Sequence, residues 1–278
     1  MLKENYKNLT FADKLRYNFG RYHPNLIEIS TKDIHYCIIE MVEKRGKIKF
    51  DGVLNISPRF GKNIVTEKDI ILPADSNLIS HKAKKLPKFL CLNSGIKVLE
   101  KTQIPFIRRS IGLIDKDGTN SDFVEKMIKH FSVVKVYTEN DEVYNEMGEK
   151  MMDTYGAPLL YDRSIDYLND CNVIISPDML DDEVLNMLTF PIIISPKVCN
   201  NNSAENLFKP GKIIFPSEYI NEFNARFDPL VFFDAAYRFC KTKKLDQSKV
   251  LEFVNNGEKI AFNKMITIIE NKYLQSIG

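Results

Sequence analysis

The chain lacks most of the signals by which a sequence declares its chemistry. Its five cysteines, Cys37, Cys91, Cys171, Cys199 and Cys240, lie far apart, with no Cys-x-x-Cys pair and no histidine at ligand spacing. That argues against a structural zinc site or a disulfide framework and fits a reducing, cytoplasmic location. No run approaches the roughly 18 apolar residues of a membrane span, and Met1-Leu-Lys-Glu-Asn-Tyr-Lys7 has no apolar signal core. Charge of one sign is also scarce. A net charge of +2 creates no global field that would select nucleic acid or an anionic membrane. The four histidines, His23, His35, His81 and His130, show neither triad nor metal spacing.

What is present is enough apolar sequence for real cores: 278 residues, 44% hydrophobic and 27% charged, a length comfortable for two domains. Residues 1–106 read as a smaller α/β domain. Asn25–Ser30 has strand character, and Ile34, Cys37, Ile38, Met41 and Val42 recur at helical spacing, which predicts a helix over 32–44 stopped by Gly46. A strand or bent hairpin over 47–56 would turn at Asp51-Gly52. Residues 82–101 predict one helix, or two pieces broken at Asn93-Ser-Gly95. The basic cluster His81-Lys82-Ala-Lys84-Lys85-Leu-Pro-Lys88 invites a phosphate-binding role, although lysines on an exposed helix face are more often simply solvated.

From residue 107 the pattern becomes regular. Short apolar runs at 111–114, 133–137, 158–161, 172–176, 191–195 and 212–215 alternate with helical segments at 122–131, 141–155, 165–168 and 182–188. Such runs are what parallel strands covered on both faces require, and a right-handed doubly wound sheet accommodates them. Residues 219–278 read as helical: Asp228-Pro229 opens 230–240, and helices over 247–254 and 258–274, hinged at Asn255-Asn-Gly257, would pack back on the domains.

The segment of greatest interest is Ile107 to Ser121, a buried strand running into the acidic turn Asp115-Lys-Asp117-Gly118-Thr119-Asn120-Ser121 and then a helix. In open α/β sheets ligands bind at this place. The alternation over 107–218 resembles the dinucleotide-binding Rossmann domains and, more loosely, the second domain of shikimate-dehydrogenase-like and glutamyl-tRNA-reductase-like proteins. That resemblance implies an NAD(P)-dependent oxidoreductase acting on a small acid in a cleft between the domains. It places Asp115, Asp117, Gly118, Thr119, Asn120 and Ser121 in the phosphate loop, with Thr138 and Glu139 ending the second strand. Glu139 then falls about 20 residues beyond Gly118, where an acidic side chain accepts from the ribose hydroxyls. Gly118 stands alone where the family has G-x-G-x-x-G. Asp115 and Asp117 also set two negative charges beside the place of a diphosphate, a repulsion of about 1 kcal/mol or more per pair at an effective dielectric near 20.

The same turn, Asp115-Lys-Asp117-Gly118-Thr119 after an apolar strand, matches the first motif of haloacid-dehalogenase-like phosphatases. There Asp115 would be the nucleophile, Asp117 the general acid/base, Thr138 the phosphate-binding hydroxyl, Asp178 and Asp182 magnesium ligands, and Lys150 the basic residue. Residues of these types are equally good turn and capping residues, which leaves a Rossmann-like scaffold or regulatory protein without cofactor. Its expected partners are a small molecule and a second copy of the chain in a homodimer.

Overall fold

The computed structural model describes residues 1–18, 23–30, 33–48, 50, 63–67, 69–74, 78–178, 180–196, 205–220, 223, 225–240 and 242–277. The expected Asp51-Gly52 turn lies outside them. Contacts divide the chain into two units, Met1–Leu86 with Ser217–Leu245, and Pro87–Pro216 with Asp246–Gly278. The division therefore falls ahead of the expected 106/107 boundary, and the last segment is shared between the units.

The first unit is built on strands β1 (Leu2–Asn5), β2 (Asn25–Ser30), β3 (His35–Lys44) and β4 (Lys47–Ile48). β3 is central, parallel to β1 and antiparallel to β2 and β4. The helix expected over 32–44 is thus a strand. Ile39 and Met41 enter one core cluster with Met1, Ile70 and Leu78, while Ile38 and Val42 are also buried. A strand covered on both faces loses its two-residue alternation, and its apolar run then mimics helical spacing. Arg45 and Gly46, both at positive φ (53° and 75°), form the tight turn into β4. A short parallel pair, β5 (Asn63–Ile64) and β6 (Ile79–Ser80), completes the strands described in this unit. The helix Pro229–Phe239 opens as expected, with Asp228 accepting from the amides of Leu230 and Val231.

The second unit is a mixed, mostly parallel sheet of eight strands. Its parallel part contains β7 (Ser110–Ile114), β8 (Val133–Tyr137), β9 (Leu160–Asp162), β10 (Val173–Ile175), β11 (Ile192–Ile194) and β12 (Leu207–Pro210). The spatial order is β9-β8-β7-β10-β11-β12, the 3-2-1-4-5-6 order of a Rossmann-like doubly wound sheet. Every residue of β7 is buried, as a central strand covered on both faces must be. On one face Ile114, Ile174, Ile193 and Leu207 pack with Leu168 and Leu185. On the other, the helix Lys85–Glu100 crosses so closely that a Cβ on Gly95 would stand 2.3 Å from Ile175 Cδ1. Gly95 is thus a packing residue within one continuous helix, not a break between two pieces. The helix Asp122–Ile128 lies beside it, with Phe89 and Phe123 edge to face at 6.4 Å.

Two expectations fail at the far edge of this sheet. The sixth parallel strand is Leu207–Pro210, while Ile213–Ile214 (β13) pairs antiparallel with Lys249–Val250 (β14). The expected helix 247–254 is replaced by strands: β15 (Glu252–Asn255) and β16 (Glu258–Ala261) form a hairpin paired with β12. Its turn, Asn256-Gly257, holds φ of 47° and 82°, and Asn-Gly favours a hairpin because both residues tolerate positive φ. One helix, Phe262–Ile277, follows. Among the described residues no helix is long and apolar enough to cross a membrane.

Candidate functional site

In a sheet of this order the strand succession reverses between β7 and β10, and the crevice beyond their carboxyl ends is where ligands bind. The residues that meet there are 115–121 and, among the described residues, 176–178 and 180–181. Asp115, Asp117, Gly118, Thr119, Asn120 and Ser121 are therefore at the switch point, and Thr138 and Glu139 follow the adjacent strand β8.

Asp115 is 2% exposed, and both oxygens of its carboxylate accept hydrogen bonds. Oδ2 accepts from the Asn120 amide (2.9 Å) and the Tyr144 hydroxyl (2.6 Å), and Oδ1 accepts from Asn120 Nδ2 (2.9 Å). Burial, followed by the neighbouring Asp115, pushes the Tyr144 phenol far above its ordinary pKa, so it acts as a donor. Gly118 makes the turn possible: its φ is +76°, and a Cβ there would come within 3.2 Å of the Val143 side chain. Its amide donates to the Asp115 carbonyl. The loop thus closes around a carboxylate of its own, and that carboxylate takes an amide N–H of the kind that receives phosphate in such loops.

Asn120 relays this arrangement outward. Its Nδ2 also lies 3.2 Å from Thr119 Oγ1 and 3.2 Å from Asp178 Oδ2, while its Oδ1 accepts from Lys88 Nζ (3.1 Å). Lys88 donates in addition to Asp178 Oδ2 at 2.8 Å. Of the basic cluster, then, Lys88 alone is turned into this network, whereas Lys82, Lys84 and Lys85 face solvent. Ser121 is the N-cap residue of the helix Asp122–Ile128 but makes no side-chain cap bond.

The neighbouring loop is stitched to the first. Thr138 is fully buried, and its hydroxyl accepts from the Asn140 amide (3.1 Å). Asn140 donates to the Asp117 carbonyl (3.1 Å) and caps the helix Asp141–Tyr155. Glu139 is half exposed and paired with Lys116 at 3.1 Å, an interaction that raises the Lys116 pKa. Beside it opens a cavity of about 830 Å³ whose charged walls are Asp117, Glu139, Asp141, Glu142, Glu146 and Glu149 against Lys116 and Arg163. Both cations are already paired, Lys116 with Glu139 and Arg163 with Asp141. The field there opposes a diphosphate.

Of the residues a phosphatase would use, Asp178 is joined to Asp115 through Asn120, while Lys150 is engaged elsewhere. A nucleophilic carboxylate needs an accessible lone pair, and the Asp115 side chain is buried with both oxygens accepting hydrogen bonds. Lys150 pairs with Glu125 on the helix surface at 3.1 Å. Among the described residues no group of three His, Cys, Asp or Glu side chains is placed to hold a metal ion.

Sequence reasoning missed Tyr144, which lies within the predicted helix 141–155 with no signal of its own, and missed the pairing of Lys88 with Asp178, which are remote in sequence. Compared with known protein families and with curated proteins, the chain matches none.

Proposed function

We propose that this chain is a non-catalytic Rossmann-like protein, a scaffold or regulatory protein that binds a small molecule at the switch point without a dinucleotide. One observation carries this: the Asp115 carboxylate fills the turn that would otherwise cradle a phosphate, held by Asn120 N, Asn120 Nδ2 and Tyr144. An incoming diphosphate would meet a buried negative charge, no second or third glycine, and the acidic wall beside Glu139.

An NAD(P)-dependent oxidoreductase is the second reading, favoured by the 3-2-1-4-5-6 strand order and by Glu139 in the loop that follows β8. Thermal unfolding with and without millimolar NAD+, NADH, NADP+ and NADPH separates the two. The proposal expects no shift in Tm with any of the four. A saturable rise that disappears in Glu139→Ala would overturn it in favour of the oxidoreductase.

A further inference from the structure

The three side chains that meet between the loops after β7 and β10 are unequally exposed. The Lys88 side chain is 25% exposed and Asn120 is buried, whereas 63% of the Asp178 side chain faces solvent. Two donors converge on its single oxygen Oδ2: Lys88 Nζ at 2.8 Å and Asn120 Nδ2 at 3.2 Å. The Asp178 backbone is secured separately. The hydroxyl of Ser176, fully buried at the end of β10, donates to the Asp178 carbonyl at 2.9 Å, and that of Ser195, at the end of β11, lies 3.5 Å from it. Rotation about the Asp178 side chain can therefore free both donors while the loop backbone stays in place.

We propose that the Asp178 carboxylate is a tethered stand-in for a ligand, and that the switch point takes a small carboxylate-bearing molecule which replaces Asp178 on Lys88 and Asn120. This rests on the non-dinucleotide reading above and names the ligand class of the same site. A carboxylate matches what the donors already hold. A phosphate dianion would carry a second charge toward Asp115, which lies one hydrogen bond behind Asn120. Exchange is accessible because a partly exposed ion pair is weakened by competing water. The tether acts as a high local concentration of carboxylate that an external ligand must overcome.

The test is titration of the full chain with acetate, succinate and inorganic phosphate, followed by amide chemical shifts, including the Asn120 side-chain amide. In Asp178→Ala, acetate and succinate should saturate at concentrations at least ~10-fold lower than in the wild type, since the internal competitor is gone. Adding Lys88→Gln should abolish that saturation. Should Asp178→Ala not fold, Asp178→Asn, which keeps the shape and removes the charge, carries the same comparison. Absence of saturable shifts in a folded Asp178 variant, persistence of binding without Lys88, or tighter binding of phosphate than of carboxylates would each overturn the proposal. A NAD+ arm reports separately: saturation by NAD+ at Glu139 would defeat the non-dinucleotide reading, while the carboxylate arms still decide the role of Asp178.

Discussion

Replacing Asp115 by Asn tests whether the carboxylate is the keystone of the loop or a reactive group. Asp115 accepts three hydrogen bonds, from Asn120 N, Asn120 Nδ2 and Tyr144 Oη. Hydrogen bonds to a charged acceptor contribute about 1.5–3 kcal/mol each and neutral ones about 0.5–1.5. The asparagine oxygen at the Oδ2 position could keep two of the three, each weaker by roughly 1 kcal/mol. Its NH2 would then face the Asn120 NH2. Turning Asn120 over would relieve that conflict only by presenting its NH2 to Lys88, so the damage would pass to the Lys88–Asp178 pair. A buried donor left against a donor costs about 1–3 kcal/mol. Relief from burying a charge offsets part of the total. The net loss is about 2–4 kcal/mol.

A chain of two units need not unfold in a single step, so the loss is best read by hydrogen exchange of the backbone amides in 110–128. A loss of that size lowers their protection by about 30- to 700-fold, at tenfold per 1.4 kcal/mol. Unchanged protection would refute the keystone role. If it came with loss of a magnesium-dependent phosphate-ester hydrolysis present in the wild type, Asp115 would instead be the nucleophile.

Two further outcomes are expected. Gly95→Ala should destabilise the second unit by about 1 kcal/mol, overpacking against Ile175 exceeding the gain in helix propensity. Because the atom in the way is Ile175 Cδ1 at 2.3 Å, Ile175→Val should reverse the sign, making Gly95→Ala stabilising in that background by about 0.8 kcal/mol. Denaturant unfolding of the four proteins checks this, and a Gly95→Ala cost that Ile175→Val does not relieve would contradict the packing. The Glu125 carboxyl, held down first by Lys129 and then by Tyr155 and Lys150, has its pKa lowered to about 2. A depressed carboxylate stabilises above its unfolded pKa and loses that contribution as pH falls toward 2. Its NMR titration midpoint should therefore lie near 2 and rise in Lys129→Met, and a midpoint unmoved by that change would exclude the pairing.

Legibility in the sequence followed how local each determinant is. The strand Val133–Tyr137 and the helix Asp141–Tyr155 match their predicted bounds because the apolar spacing, the Asn140 cap and the left-handed Gly156 stop all lie within the segment. The apolar run of β3 mimics a helix because burial on both faces comes from partners remote in sequence, whereas the β15–β16 hairpin carries its own local Asn256-Gly257 turn signal, which reads equally as a hinge between helices. The importance of the 115–121 turn could be read directly, since an acidic, Gly-bearing turn after a buried strand occupies the ligand position of such sheets. Its internal wiring could not.

The amino-acid sequence by itself determined the α/β alternation, the position of the central strand and the conflict between Asp115, Asp117 and a diphosphate. These rest on periodicity, turn chemistry and charge, all short-range properties of the chain. Only the tertiary structure decided that Tyr144, 29 residues on, caps the Asp115 carboxylate, and that Lys88 and Asp178, 90 residues apart, close the same network. The reason is physical: a hydrogen bond forms where strand order brings donor and acceptor within about 3 Å, and strand order is set by the packing of the whole sheet.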